Sequence, residues 1–457
     1  MPATLRKQKV SLIGAVMLLR EILTEALCLG VFKSERVSER QRVWSLPTLL
    51  YFWLAVVIRS PRSLTVALSE AVRAKDEDKI WPRINGSPQA FFKRTLTLRP
   101  KFFAALFERF VDALALKAST SFSAGFSSLR EHFPEIWVID GSGLEAVKHR
   151  LKLLWNERAV ILPGCVTALY DVFRGIPRRV RFCADAAKSE FIRGVEILSE
   201  VPKGALLIAD RLYSSVAFFI ELEQRGLFGL VRATKNLTIK KIGQKSRRKF
   251  DGGVLDDWFV DVGSGSTATP QTLRLIRYRV GDLSLRLLTN VLEPEHLSAE
   301  TAIALYRKRW SIERMFFDLK EVMGLNRFYS ANPNAVAMQV YATTMVYAAA
   351  RLSQAKIADE VKIAPEEIST AKFIPRVAKA SADHAEYLCG VETVVEMNPS
   401  VSLKLPGPDD YPKLFVPLGE ILRVRRGEKR RKRRYCNSRK TWKSITHVPG
   451  GSKFESD

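Results

Sequence analysis

Four side chains in the segment Leu305–Lys320 have types and spacings that could do chemistry together: Tyr306, Arg309, Glu313 and Lys320. Offsets of three, four and seven are helical, and on a 100° wheel the four fall inside an arc of roughly 60°. Leu305, Ile312, Phe316, Leu319 and Met323 line up beside them, while Arg307, Arg314, Asp318 and Glu321 take the outer side. The segment predicts one amphipathic helix whose polar stripe borders the core. At about 1.5 Å per residue the stripe runs for roughly 21 Å, enough to set a carboxylate flanked by cations along several nucleotides of a phosphate backbone. Such a face suits a nuclease. The alternative is an ordinary i,i+4 pair of Arg309 with Glu313 on a solvated helix, contributing about 0.3–0.5 kcal/mol. Arginine ahead of glutamate is the weaker orientation for that pair, and solubility alone does not put Tyr306 and Lys320 on the same line.

Two more carboxylates stand where elements end. Ile136-Trp137-Val138-Ile139 runs into Asp140-Gly141-Ser142, and Ala205-Leu206-Leu207-Ile208 runs through Ala209 into Asp210. Each reads as a buried strand delivering an aspartate to a sheet edge. Either aspartate alone would serve as well as a turn or helix-cap residue.

The pattern Tyr306-x2-Arg309-x3-Glu313-x6-Lys320 resembles the tyrosine-arginine-glutamate-lysine signature of bacterial insertion-sequence transposases of the DDE type, and Trp310-x-Ile312-Glu313 resembles the same passage. Asp140-Gly141-Ser142 and Ala209-Asp210-Arg211-x-Tyr213 resemble the family's other local contexts, so the likeness covers roughly residues 35 to 350. It implies a ribonuclease H-like core with Asp140 on the first strand, Asp210 on the fourth and Glu313 on a helix beyond an insertion. Three carboxylates converging in a dry cleft repel one another, and divalent metal removes the conflict. Asp140, Asp210 and Glu313 would then be both the catalytic residues and the ligands of two Mg2+ or Mn2+ ions roughly 3.5–4 Å apart. The implied activity is cut-and-paste transposition: water frees a 3′-hydroxyl at the element's end, and that hydroxyl attacks target DNA. Arg309 and Lys320 would contact phosphates, and Tyr306 the terminal nucleotide. In relatives that seal the excised end as a hairpin, a tryptophan of the insertion stacks on an unstacked base. Trp258 could take that part, although a core or edge-strand tryptophan is the favoured reading. The implied partners are double-stranded DNA, as terminal inverted repeats and target, and a second copy of the chain in a synaptic homodimer.

The charge balance points the same way. Lys and Arg number 73 against 48 Asp and Glu, a net charge of +25. A polyanionic partner accounts for it, with a membrane surface the weaker alternative. With 457 residues, 47% of them hydrophobic, the chain can bury an ample core across two to four domains. No segment reads as a membrane span. Charges interrupt Ser11–Gly30, Leu46–Ile58 is too short, and the polar residues within Ala335–Ala350 favour a buried core helix. The five cysteines include no CxxC pair, which argues against a zinc site or a disulfide framework. The expectation is a soluble, cytoplasmic and nucleoid-associated bacterial protein.

The elements that would position these residues form an α/β fold: a mixed sheet flanked by helices, a helical N-terminal domain, and an antiparallel β insertion before the last catalytic helix. Residues 1–125 read as helical and DNA-end-binding, with helices at Ser11–Gly30, Pro47–Arg59, Ser63–Ala74 and Pro100–Leu116 and cations such as Arg62, Lys93 and Arg94 between and along them. Residues 126–234 and 293–358 form the core. Strands are predicted at Ile136–Asp140, Ala159–Leu162, Arg178–Ala184, Ala205–Asp210 and Leu227–Ala233, and helices at Ser189–Val201 and Ser214–Gln224. The insertion, 235–292, shows strands at Trp258–Val262, Leu273–Val280 and Leu283–Thr289 after a basic stretch from Lys235 to Lys249, suited to backbone contact or else a solvated loop. Residues 359–422 read as helical, with Pro365–Cys389 available for dimerisation, and 423–457 as a polybasic arm. Two other functions remain open. One is an inactive or host-adapted ribonuclease H-like nuclease; the other is a basic nucleic-acid-binding protein whose three carboxylates never meet.

Overall fold

The computed structural model describes residues 3–35, 43–73, 86–144, 164–234, 237–263, 270–381, 409 and 412–423. The strand expected at Ala159–Leu162, the end of the Pro365–Cys389 region and the polybasic arm beyond Arg423 lie outside the described residues.

After one short helical turn at Ala3–Lys7, the N-terminal part runs through strand β1 (Lys9–Ser11) and continues as helices α1 (Gly14–Ile22), α2 (Glu25–Glu35), α3 (Leu46–Arg59), α4 (Leu64–Arg73), α5 (Pro88–Thr97) and α6 (Lys101–Lys117). The single helix expected over Ser11–Gly30 is broken after Ile22, where Thr24 Oγ1 accepts from the Leu27 amide and starts a second helix. Helix α5 was not anticipated; Ser87 caps it and Pro88 occupies its first turn. Arg94, counted among the surface cations, is buried and donates from Nε to the Trp44 carbonyl at 3.0 Å.

A nine-stranded sheet follows: β2 (Ile136–Gly143), β3 (Cys165–Asp171), β4 (Ile176–Cys183), β5 (Leu206–Ala209), β6 (Phe228–Arg232), β7 (Ile239–Phe250), β8 (Gly253–Val262), β9 (Gln271–Val280) and β10 (Leu283–Thr289). Its spatial order is β4-β3-β2-β5-β6-β10-β9-β8-β7. Strand β2 runs antiparallel to β3 and parallel to β5, and β5 runs parallel to β6. This is the mixed sheet flanked by helices that the sequence predicts. Side chains alternate across a strand, and here the two faces feed two cores. Ile136, Val138, Leu206 and Ile208 join a large apolar cluster; Trp137, Ile139, Leu207 and Ala209 join a smaller one. Helices therefore cover both faces, which is why these strands read as unbroken apolar runs. Helices α7 (Glu190–Glu196), with the turn Ile197–Glu200, and α8 (Val216–Gln224) cover the smaller core.

The β-rich segment is not set apart from that sheet. Strand β10 pairs with β6 from Leu287↔Arg232 to Thr289↔Leu230, so β10, β9, β8 and β7 extend the same sheet. The stretch read as basic backbone-contact sequence or loop is mostly strand β7, held to β8 through two irregularities in register. Six of its twelve residues are Lys or Arg. On an outermost strand such charges oppose pairing with other sheets.

Three helices close the core: α9 (Ala299–Tyr306), α10 (Trp310–Phe317) and α11 (Pro333–Glu360). Asn332 caps α11 through the Asn334 and Ala335 amides, and residues 335–355 are buried throughout, as the sequence predicts for a core helix. Its polar groups are satisfied inside: Thr343 and Thr344 hydroxyls donate to the Gln339 and Val340 carbonyls, and Arg351 donates to Gly175 O and Gln354 Oε1. Helix α1 packs against it so closely that a Cβ on Gly14 would lie 2.7 Å from Ser353 Oγ. No single helix among the described residues is long and apolar enough to cross a membrane.

The expected uniform helix over Leu305–Lys320 is corrected in detail. A 3₁₀ turn at Arg307–Arg309 separates α9 from α10, and a π turn at Asp318–Val322 follows α10. The wheel also fails at Asp318, which is buried rather than on the outer side. The helix over residues 370–381 covers it; Thr370 Oγ1 donates to Asp318 Oδ2 at 2.6 Å, and Arg314 pairs with Oδ1 at 3.1 Å. β11 (Phe415–Pro417) completes a two-stranded sheet with β1.

Candidate active site

The parallel pairing of β2 with β5 sets the first two carboxylates. Register runs Ile136↔Leu206, Trp137↔Leu207, Val138↔Ile208, so two residues further Asp140 stands level with Asp210 on the next strand's exit. Neighbouring strands lie roughly 4.8 Å apart. Asp210 does act as a cap: its Oδ1 accepts from the Leu212 amide at 2.7 Å, starting the turn Arg211–Tyr213. Asp140 Oδ1 accepts from the next amide, Gly141 N, at 2.9 Å.

A third carboxylate, unanticipated from sequence, meets them. Glu190, in the first turn of α7, accepts from the same Gly141 amide through Oε1 at 3.1 Å. A Cβ on Gly141 would lie 2.7 Å from Glu190 Cγ and Cδ, so only glycine admits this approach. An acidic residue opening a helix is ordinary, and nothing in its spacing set Glu190 apart. Burial, followed by the Glu190 and Asp210 charges, pushes the Asp140 carboxyl up to about 7. Burial and then Asp210 raise Glu190 as well.

Glu313 reaches the group through Arg309. The two form the i,i+4 ion pair of the alternative sequence reading, but it is not solvated: their side chains are 12% and 24% exposed. The Arg309 guanidinium lies 4.9 Å from the Trp310 ring centroid, and its charge also acts on Asp140. Tyr306 is buried, its phenol is pushed up to about 12 chiefly by burial, and its hydroxyl has no hydrogen-bond partner among the described residues. Lys320 donates to Ser142 Oγ at 2.6 Å and to Gly143 O at 2.7 Å, tying the π turn to the end of β2.

Trp258 is not brought to these residues. It lies on β8, four strands from β5, or roughly 19 Å across the sheet. Its ring packs against the smaller core beneath Lys241, whose Nζ is 4.3 Å from the centroid. An exposed aromatic stands beside Arg309 instead: Trp310.

No group of three or more His, Cys, Asp or Glu side chains among the described residues stands ready-made to hold a metal ion. The donor chemistry nonetheless fits a hard divalent cation. Asp140, Glu190 and Asp210 offer only oxygen, and their mutual repulsion in a partly buried place is what such a cation would relieve.

Chains similar to this one carry transposase names. One from Sinorhizobium fredii is 28% identical over 158 residues, which is 34% of this chain and 44% of the relative. Another, from Synechocystis, named for an insertion sequence element, is 24% identical over 34% of this chain and 43% of its own length. The chain thus matches less than half the length of these relatives. A solved piggyBac transposase synaptic complex with hairpin DNA overlaps 90% of this chain and 89% of its own at 12% identity and a TM-score of 0.38, too distant a likeness to bear on function. Residues 131–349, which hold both aspartate-ended strands and the helix bearing Glu313, match the family described as the transposase DDE domain.

Proposed function

We propose that the chain is a DNA transposase of an insertion sequence, which cuts the element's ends and joins the freed 3′-hydroxyl to target DNA by phosphoryl transfer. Asp140, Asp210 and Glu313 are its catalytic residues and ligands for Mg2+ or Mn2+. The observation that supports this reading is the register of β2 on β5, which brings Asp140 level with Asp210, together with Arg309, whose charge acts on Asp140 and which pairs with Glu313. Bound divalent cations would activate the attacking oxygen and stabilise the leaving one.

The chain's own residues do the rest. Arg309 shields Glu313 and Asp140 until a DNA phosphate competes for the guanidinium, which frees the Glu313 carboxylate at the moment substrate arrives. Lys320 fixes the Ser142-Gly143 end of β2 and so the direction of Asp140; as a point charge it also attracts the nearby phosphate. Tyr306 presents its unpartnered hydroxyl to the terminal nucleotide. Trp258, beneath Lys241, serves the sheet rather than an extruded base. DNA is bound as terminal repeats and target, and two copies of the chain synapse two ends.

The test is excision in a bacterial cell from a plasmid carrying the gene with its native flanking DNA. Excision by wild type that disappears in Glu313→Ala is expected. Equal excision by both would remove Glu313 from the mechanism, and none from either would favour a retired element or a host-adapted nuclease.

A further inference from the structure

The carboxylates gathered around the Gly141 amide are not those of the catalytic triad. Glu190, not Glu313, shares a hydrogen-bond donor with Asp140, while Glu313 is engaged by Arg309. Beside this set lies a second, independent feature. The Tyr213 side chain is fully buried, and its hydroxyl has no hydrogen-bond partner among the described residues. That hydroxyl sits against α7 where a Cβ on Gly194, one turn beyond Glu190, would come within 2.5 Å of it. Burial above all raises the phenol's pKa; the Glu190, Asp140 and Asp210 charges add to it, and Arg193 opposes them. A buried hydroxyl without a partner, packed one turn along the helix that carries Glu190, is a donor which that carboxylate can take when it rearranges around something positive.

We infer that Glu190 is a cation ligand of this site together with Asp140 and Asp210, and that Tyr213 is a positioning residue that donates to the Glu190 carboxylate when the cation draws it round. The inference rests on the proposed divalent-cation site and deepens it. Glycine at 141 lets Glu190 reach the end of β2, and glycine at 194 lets Tyr213 lie flat on α7, so both approaches are built into the backbone. Each ligand stands on its own element: Asp140 on β2, Glu190 on α7 and Asp210 at the exit of β5. Glu313 joins only after DNA engages Arg309.

Mn2+ binding to the full chain without DNA, followed by the loss of the free-ion paramagnetic resonance signal, tests this. Wild type is expected to bind. Glu190→Gln and Asp210→Asn should each lower affinity by roughly 10-fold or more, Tyr213→Phe by a smaller factor, and Glu313→Gln by less than about threefold. Wild-type affinity in Glu190→Gln overturns the inference and leaves the cation site standing; no Mn2+ bound by wild type overturns both. A second measurement needs no variant. Fe2+ with ascorbate and peroxide should cut the wild-type backbone near residues 140, 190 and 210, and cuts at 140 and 210 without one near 190 would equally exclude Glu190.

Discussion

The two halves of the nine-stranded sheet solve the same problem with different materials. In β4-β3-β2-β5-β6 the central strands β2 and β5 carry apolar side chains on both faces where they pair with each other, and their charges, Asp140 and Asp210, stand just beyond that pairing. In β10-β9-β8-β7 charges enter the strands themselves. Asp257 and Arg274, 3% and 0% exposed, form a buried pair at 2.6 Å, and Arg274 also donates to Leu297 O at 2.6 Å. Asp256, fully buried, is ringed by Arg247, Arg277 and Arg279. Apolar strands can deliver a carboxylate to an edge because nothing within them competes for it. The charged strands hold their own ions in place, and in doing so keep the cationic outer strand registered on its neighbour.

That contrast predicts different responses to mutation. Asp257→Ala leaves the Arg274 charge buried and unpaired, and should cost about 3–5 kcal/mol, whereas replacing both partners by apolar residues of similar volume should cost much less. In the apolar half, Leu207→Ala should cost about 2–5 kcal/mol with no such rescue by a second substitution. Chemical unfolding of the four proteins checks both statements; equal losses in the single and paired charge variants would break the comparison.

The next effect belongs to the strand ends. Asp140 titrates near 7 instead of the ordinary 3.8, so between those values the folded chain holds a proton that the unfolded chain has released. Folding then takes up a proton, and stability falls as pH rises from about 4 to 7, by about 1.4 kcal/mol per pH unit at most. With divalent ions chelated, the unfolding midpoint should drop from pH 5.5 to 7.5, and Asp140→Asn should flatten that drop. A wild-type midpoint that rises over this range would show that Asp140 is not destabilised as an anion. The smallest effect is at the surface: Lys241→Ala, which removes the ammonium over Trp258, should cost only about 0.5–1 kcal/mol.

The same contrast explains what the sequence discloses. Strands β2 and β5 are legible because two-sided burial writes an unbroken apolar run that stops at an aspartate. Helix α11 is legible from its length without charge. Strand β7 is not, because half its residues are cations and two irregularities in its register erase the alternation that marks a strand. The wheel placed Tyr306, Arg309, Glu313 and Lys320 on one line but could not show the 3₁₀ and π turns, nor the distant residues 370–381 that bury Asp318. Glu190 enters the site through a tertiary approach to Gly141, 49 residues away in sequence, which no local pattern encodes.

The central claim is that Asp140, Asp210 and Glu313 act as one phosphoryl-transfer site. Its most direct test is strand cleavage by the purified chain, in Mg2+, of linear DNA carrying the gene's native flanking ends. Wild type should nick at the element boundary. Asp140→Asn, Asp210→Asn and Glu313→Gln should each lose about 1,000-fold in rate while still retarding the same DNA in a gel. A wild-type nicking rate in any one of the three would contradict the account.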